Sequence, residues 1–190
     1  MTKKLKKQRY RKVGEKHLIE VRVKSALQLF DARDPAPFRA RDLDDDFTEY
    51  VVTSADEFSP KTPLKIMIYV HDKMDSEIDK DAILEAIHSW VTYQIDLKRI
   101  QLQKLFKTAQ LFLGIGLISL IACLSIANLL RSAEAFDAIK IAKEGVIIFG
   151  WVSMWKPFEL ILFDWYPAYD RIRLFRKLLE TEIEVVFEAT

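Results

Sequence analysis

The chain has 190 residues, half of them hydrophobic and 30% charged, with a formal net charge of +1. That length accommodates one membrane unit and one modest soluble domain and little more. The single cysteine, Cys123, excludes an intramolecular disulfide, so the soluble part should tolerate a reducing compartment.

Residues 1–17 read as a basic tail carrying Lys3, Lys4, Lys6, Lys7, Arg9, Arg11 and Lys12. No apolar core follows these charges, so the segment is not a cleaved signal peptide. On the cytoplasmic face of a membrane such a tail acts as a topology determinant and meets anionic lipid, at about 1 kcal/mol per residue near the surface. Nucleic acid is the less favoured partner.

Residues 18–105 read as a small α+β domain ending in a long helix. Leu18–Lys24 alternates Ile19, Val21 and Val23 with Glu20, Arg22 and Lys24, the pattern of a strand with one buried face. Asp34-Pro-Ala-Pro37 marks a turn, because each proline forces the residue before it out of helix. Asp44–Phe58 predicts a helix with Phe47, Tyr50, Val51 and Ser54 on one face and acids at its positive end. Asp42-Leu-Asp44-Asp45-Asp46 superficially resembles half a calcium loop, but Phe47 and Thr53 stand where the glycine and the bidentate acid belong. Pro63–His71 is a second strand, apolar enough on both sides to be central.

From Asp79 a stripe of Ile83, Ile87, Trp90 and Val91 predicts another helix, with no Gly or Pro before Gly114. Extended to Leu130 it would measure roughly 75–80 Å and hold the domain rigidly against a bilayer. Thr108–Leu130 contains no charged residue, so residues 106–131 form the first predicted transmembrane helix. Gly114, Gly116, Ser119, Cys123 and Ala127 supply small residues for close packing against the second helix or another subunit.

Residues 132–144 form an external connector with a weak apolar stripe through Phe136 and Ile139, compatible with lying along the interface. The second transmembrane helix covers residues 145–166, with Trp165 and Tyr166 suited to an interfacial belt. Residues 167–190 form a basic helix followed by Glu182–Glu188, which alternates Ile183, Val185 and Phe187 with glutamates. Two readings of that end stay open: a strand returning to the sheet, with its acids facing the bases of the first strand, or a segment fraying from the helix. Lys98, Arg99, Lys104 and Lys107 before the first span, and Arg171, Arg173, Arg176 and Lys177 after the second, place both termini in the cytoplasm.

Lys156, Pro157 and Glu159 fall near the middle of the second apolar run, with Asp164 beyond. A lysine at the centre of a span costs roughly 2.5–3.5 kcal/mol on insertion scales, so an ionisable group there marks a pairing or a function. Lys156 and Glu159 are three apart, hence neighbours on one helical face. Pro157 frees a carbonyl near Ser153 and permits a kink. Three readings stand: an ion pair buried against the first helix or a neighbouring subunit; a proton or ion path with Glu159 titrating and Asp164 at its inner mouth; or a run broken at Pro157, with Lys156 snorkelling to headgroups.

His17, His71 and His88 are scattered without ligand spacing, and there is no phosphate loop or nucleophile-and-base arrangement. No metal, cofactor or enzymatic activity is expected.

Gly150-Trp151, Trp155-Lys-Pro-Phe-Glu159, Asp164-Trp-Tyr-Pro167, Asp34-Pro-Ala-Pro-Phe38 and Arg41-Asp-Leu-Asp44 resemble small bacterial two-span inner-membrane proteins of unknown function. The resemblance implies a bacterial inner membrane and no particular activity. The expected fold is therefore a membrane α-helical hairpin with a small α+β cytoplasmic domain. The expected function is a non-enzymatic homo-oligomeric scaffold or partner-docking component of an unknown process, with a small ion or proton channel or transport component using Glu159 and Lys156 as the alternative.

Overall fold

The structure, a computed structural model, describes residues 9–38, 41–72, 78–130 and 137–188. It divides into two compact units, one comprising Met1–Leu97 and Arg171–Thr190, the other Lys98–Asp170.

The first unit is an α+β domain around a four-stranded sheet in the order β1 (Lys12–Val13), β2 (Lys16–Ser25), β3 (Leu64–Asp72), β4 (Glu182–Phe187). β1 and β2 form an antiparallel hairpin whose two-residue loop begins with Gly14 at φ 60°. A side chain would be strained at that φ, and a first-position glycine is what a tight primed turn demands. β2, β3 and β4 are parallel. Their register aligns Ile19, Ile66 and Ile183 in one row and Val21, Ile68 and Val185 in the next, so a single face collects the apolar side chains.

Three helical segments bury that face. α1 (Asp45–Asp56) begins at Asp44, whose carboxylate accepts the Phe47 N–H at 3.1 Å. The acids of the incomplete calcium-loop pattern thus stand at a helix N-terminus. The first turns of α2 (Lys80–Leu130) contribute Ile83, Ala86, Ile87 and Val91, and the last turns of α5 (Tyr166–Leu179) contribute Ile172, Phe175 and Leu178. Trp90 and Phe175 meet edge to face at 5.8 Å.

The C-terminal segment does return to the sheet, but beside β3 rather than beside β2. Of the two readings the sequence leaves open for this end, the returning strand is the one found. Its charges suggest the first strand as neighbour, but the most apolar of the four strands among the described residues separates β2 from β4. The expected charge complementarity survives by reaching across it. Lys65 of β3 lies 2.7 Å from both Glu182 and Glu184, and Lys16 of β2 extends to Glu182 at 2.6 Å. Parallel sheets are ordinarily covered on both faces. Here this ladder, together with the Tyr69 hydroxyl donating to Glu20 at 3.2 Å, occupies the second face.

The second unit is an antiparallel helical hairpin. α2 runs unbroken for 51 residues, as the absence of Gly and Pro before Gly114 predicts. α3 (Asp137–Val152) follows, then a turn at Ser153–Met154, α4 (Trp155–Glu159) and a π-helical turn at Leu160–Asp164 leading into α5. Residues 137–144, expected as connector, are the first turns of α3, since no proline falls between Asp137 and Gly150 and a helix tolerates the single glycine there, Gly145. Residues 132–136 lie outside the described part. Two helical stretches, Lys80–Leu130 and Asp137–Leu179, are long and apolar enough to cross a membrane.

Candidate functional site

The hairpin closes on a seam of small residues. On α2, Ala109, Gly116, Cys123 and Ala127 are buried, and Leu113 and Leu120 are half-buried. On the returning strand of the hairpin Gly150, Met154, Pro157 and Leu160 are buried, and Ser153 is half-buried. Spacings of three and four in alternation keep one face turned to its partner, as in coiled coils. Two glycines set the separation. A Cβ on Gly116 would stand 3.0 Å from the Ser153 carbonyl oxygen, and one on Gly150 would stand 3.0 Å from Cβ of Cys123.

The small-residue stripe read from sequence is therefore partly displaced. Gly116, Cys123 and Ala127 lie on the seam. Gly114 faces open space and Ser119 is only half-buried, because the seam repeats every three and a half residues rather than every four.

Ser153 sits where the second helix is interrupted. Its hydroxyl donates to the Gly150 carbonyl at 2.6 Å and lies 3.3 Å from the Gly116 carbonyl of the facing helix. The interruption has a local cause. Pro157 lacks the N–H that would bond the Ser153 carbonyl, and the chain tightens at Met154, whose N–H bonds Trp151 three residues back at 3.1 Å. The π-helical turn at Leu160–Asp164 underwinds what Met154 overwinds, and Pro157 and Leu160 both remain on the seam. Sequence reasoning locates the proline and the carbonyl freed near Ser153, and misses the contact of the Ser153 hydroxyl with Gly116 on the facing helix and the π turn.

Lys156 and Glu159 do form an ion pair, with Nζ 2.9 Å from Oε2. Their side chains are 54% and 42% exposed, so the pair lies on the outer surface of the hairpin and is not buried against the first helix. Pro157, between them in sequence, takes the inward position. Asp164 is half-buried at the end of the π turn. Beyond it Trp165 makes edge contacts with Tyr166 at 6.1 Å and Tyr169 at 5.6 Å.

The register of the hairpin also sets the pair opposite the beginning, not the middle, of the uncharged run of the first helix. Gly116 is level with Ser153–Met154, so Lys156 falls near the level of Gly114 and Glu159 near that of Leu111. At 1.5 Å per residue these levels are about 9 Å and 5 Å from Thr108, where the uncharged run of the first helix begins. Centring on the 145–166 run alone misplaces the pair, because α3 begins eight residues earlier, at Asp137.

The basic tail divides. Lys3, Lys4, Lys6 and Lys7 lie outside the described residues. Arg9 pairs with Glu57 at 3.2 Å, Arg11 approaches Glu20 at 4.0 Å, and Lys12 belongs to β1. These three are part of the α+β unit. Among the described residues no cluster of three His, Cys, Asp or Glu side chains is placed to hold a metal. An apolar cavity of about 20 Å³ between Phe47, Val51, Ile87, Val91 and Leu178 has room for a single water at most. Comparison with known proteins finds no matching family model, curated protein or solved structure.

Proposed function

We propose that this chain is a two-span integral protein of a bacterial inner membrane, with both termini and the α+β unit in the cytoplasm. It acts without catalysis, as a homo-oligomeric scaffold to which a protein partner docks. The observation that carries the reading is the outward surface of the hairpin. Small side chains fill the seam, while Leu111, Ile118, Leu129, Ile148 and Trp151 all stand largely exposed. In water such a surface would be a severe aggregation liability; in a bilayer it is the face that lipid requires.

The position of the ion pair favours a scaffold over a channel. No charged residue occurs from Thr108 to Leu130 on one helix or from Gly145 to Trp155 on the other. A path through Lys156 and Glu159 would therefore face an uncharged stretch of about 16 Å on the second helix and more on the first. The pair instead lies close enough to the Lys107 end for Lys156 to direct its ammonium toward the interface through Glu159.

Alkaline carbonate extraction and cysteine accessibility test this directly. The chain should stay with the membrane pellet, and cysteines introduced at Thr190 and at Lys12 should label only after the cell is opened. Labelling of either from outside overturns the topology. A liposome flux that is present in the wild type and lost in Glu159→Gln overturns the scaffold reading.

A further inference from the structure

The second helix of the hairpin carries two stripes with the same repeat, and among the described residues only one of them packs on another helix. The inner stripe, Gly150, Ser153, Pro157 and Leu160, packs on α2. One residue earlier at each step lie Phe149, Val152, Lys156 and Glu159, followed by Phe163, at spacings of three and four. All five are outward: Phe149, Val152 and Phe163 are 64%, 61% and 68% exposed, around the half-exposed ion pair. An apolar stripe of this period with one polar layer is how helices specify a helical partner and fix its register.

We propose that a second copy of this chain packs on this stripe, with Lys156 of each copy bonded to Glu159 of the other across a two-fold axis. The inference rests on membrane insertion of the hairpin. The occupant is identified by charge complementarity. Two copies inserted in the same direction bring Lys156 to one depth and Glu159 to another, about 4.5 Å further along the axis, a step that a lysine side chain spans. The isologous contact closes a neutral ring of four alternating charges. Lipid tails leave each charge with only its in-chain partner, whereas a second copy gives each one a further opposite neighbour.

The test uses the full chain in native membranes, with Cys123→Ala and Phe149→Cys as a cross-linking reporter. Oxidation should give a cross-linked dimer. Lys156→Glu alone places four carboxylates in the ring and Glu159→Lys alone places four ammoniums, so each should lower the dimer yield by at least about tenfold, the change that 1.4 kcal/mol produces. Co-expression of these two variants under different tags should restore cross-linking as a mixed dimer, and the double exchange within one chain should restore it as a homodimer. Yields unchanged by the single reversals overturn the proposal. So does failure of both rescues while carbonate extraction still leaves the variants in the membrane. Loss of wild-type chain to the carbonate supernatant overturns the membrane reading itself, and this inference with it.

Discussion

Gly150 lies so close to Cys123 that a methyl group on the glycine would stand 3.0 Å from the cysteine Cβ. Neither atom can rotate away, so contact at this point requires the glycine. Gly150→Ala should separate the helices locally and cost about 1–3 kcal/mol. Gly116→Ala meets a backbone oxygen and should behave alike, whereas Gly114→Ala, in open space, should be neutral. Thermal unfolding in detergent, followed by tryptophan fluorescence, distinguishes the three; equal melting curves would show that the seam is not the packing surface.

Removing one member of the Lys156–Glu159 pair should be worse than removing both. Lys156→Met leaves a carboxylate without its counter-ion, at a cost below the roughly 2.5–3.5 kcal/mol of a lone charge at the centre of a span, because Glu159 lies toward the end of the apolar run. Lys156→Met with Glu159→Leu should recover most of the loss in membrane yield, since an uncompensated charge is the main penalty. A double variant as impaired as the single would show that the pair contributes more than mutual neutralisation.

Glu182 is held down to about 2, below its ordinary 4.5, by hydrogen bonds from Lys16 and Lys65. A carboxylate with a depressed folded pKa stabilises the fold above its unfolded value and loses that contribution as pH falls through the folded one. Stability of the α+β unit should therefore decline between about pH 4.5 and 2, with the side chain's partial exposure keeping the effect small. Glu182→Gln should flatten this part of a urea-midpoint against pH curve. An unchanged slope would assign the decline to other acids.

His17 acts at higher pH and with the opposite charge. Burial lowers its pKa from 6.5, and Lys12 and Lys177 lower it further. Its ring packs on Phe58 at 4.9 Å. The unfolded chain takes up a proton before the folded chain does, so stability should begin to fall as pH drops below about 6.5. His17→Gln should remove that dependence. A midpoint insensitive to pH between 7 and 5 in the wild type would refute the assignment.

Asp44→Ala should cost about 1 kcal/mol through loss of the cap on α1, and Asp42→Ala nearly nothing by this route. Urea titration of both checks it.

The chain elements were legible where one local signal decided them. Ile19, Val21 and Val23 marked β2, Asp44 marked the start of α1, and the uninterrupted stretch from Asp79 marked a helix reaching Leu130. What the sequence concealed was pairwise. Nothing local to β4 says that β3 rather than β2 is its neighbour, because either pairing satisfies the charges. Nothing within residues 145–166 gives the depth of Lys156, which follows from the contact of Gly116 with Ser153 on another helix. The seam itself was half visible: small residues were found, but their period of three and a half depends on the partner they wrap.

The place of β4 in the sheet has a consequence for biosynthesis. β3 ends at Asp72 and its neighbour begins at Glu182, roughly a hundred residues later. At about 5–20 residues per second, the ribosome needs on the order of 5–20 s to deliver the missing strand, and the whole helical hairpin emerges in between. The α+β unit is thus the last to be completed although it is the first to be begun, and during that interval the long edge of β3 is without its final partner. A chain truncated before Glu182 would keep both helices of the hairpin yet expose that edge permanently.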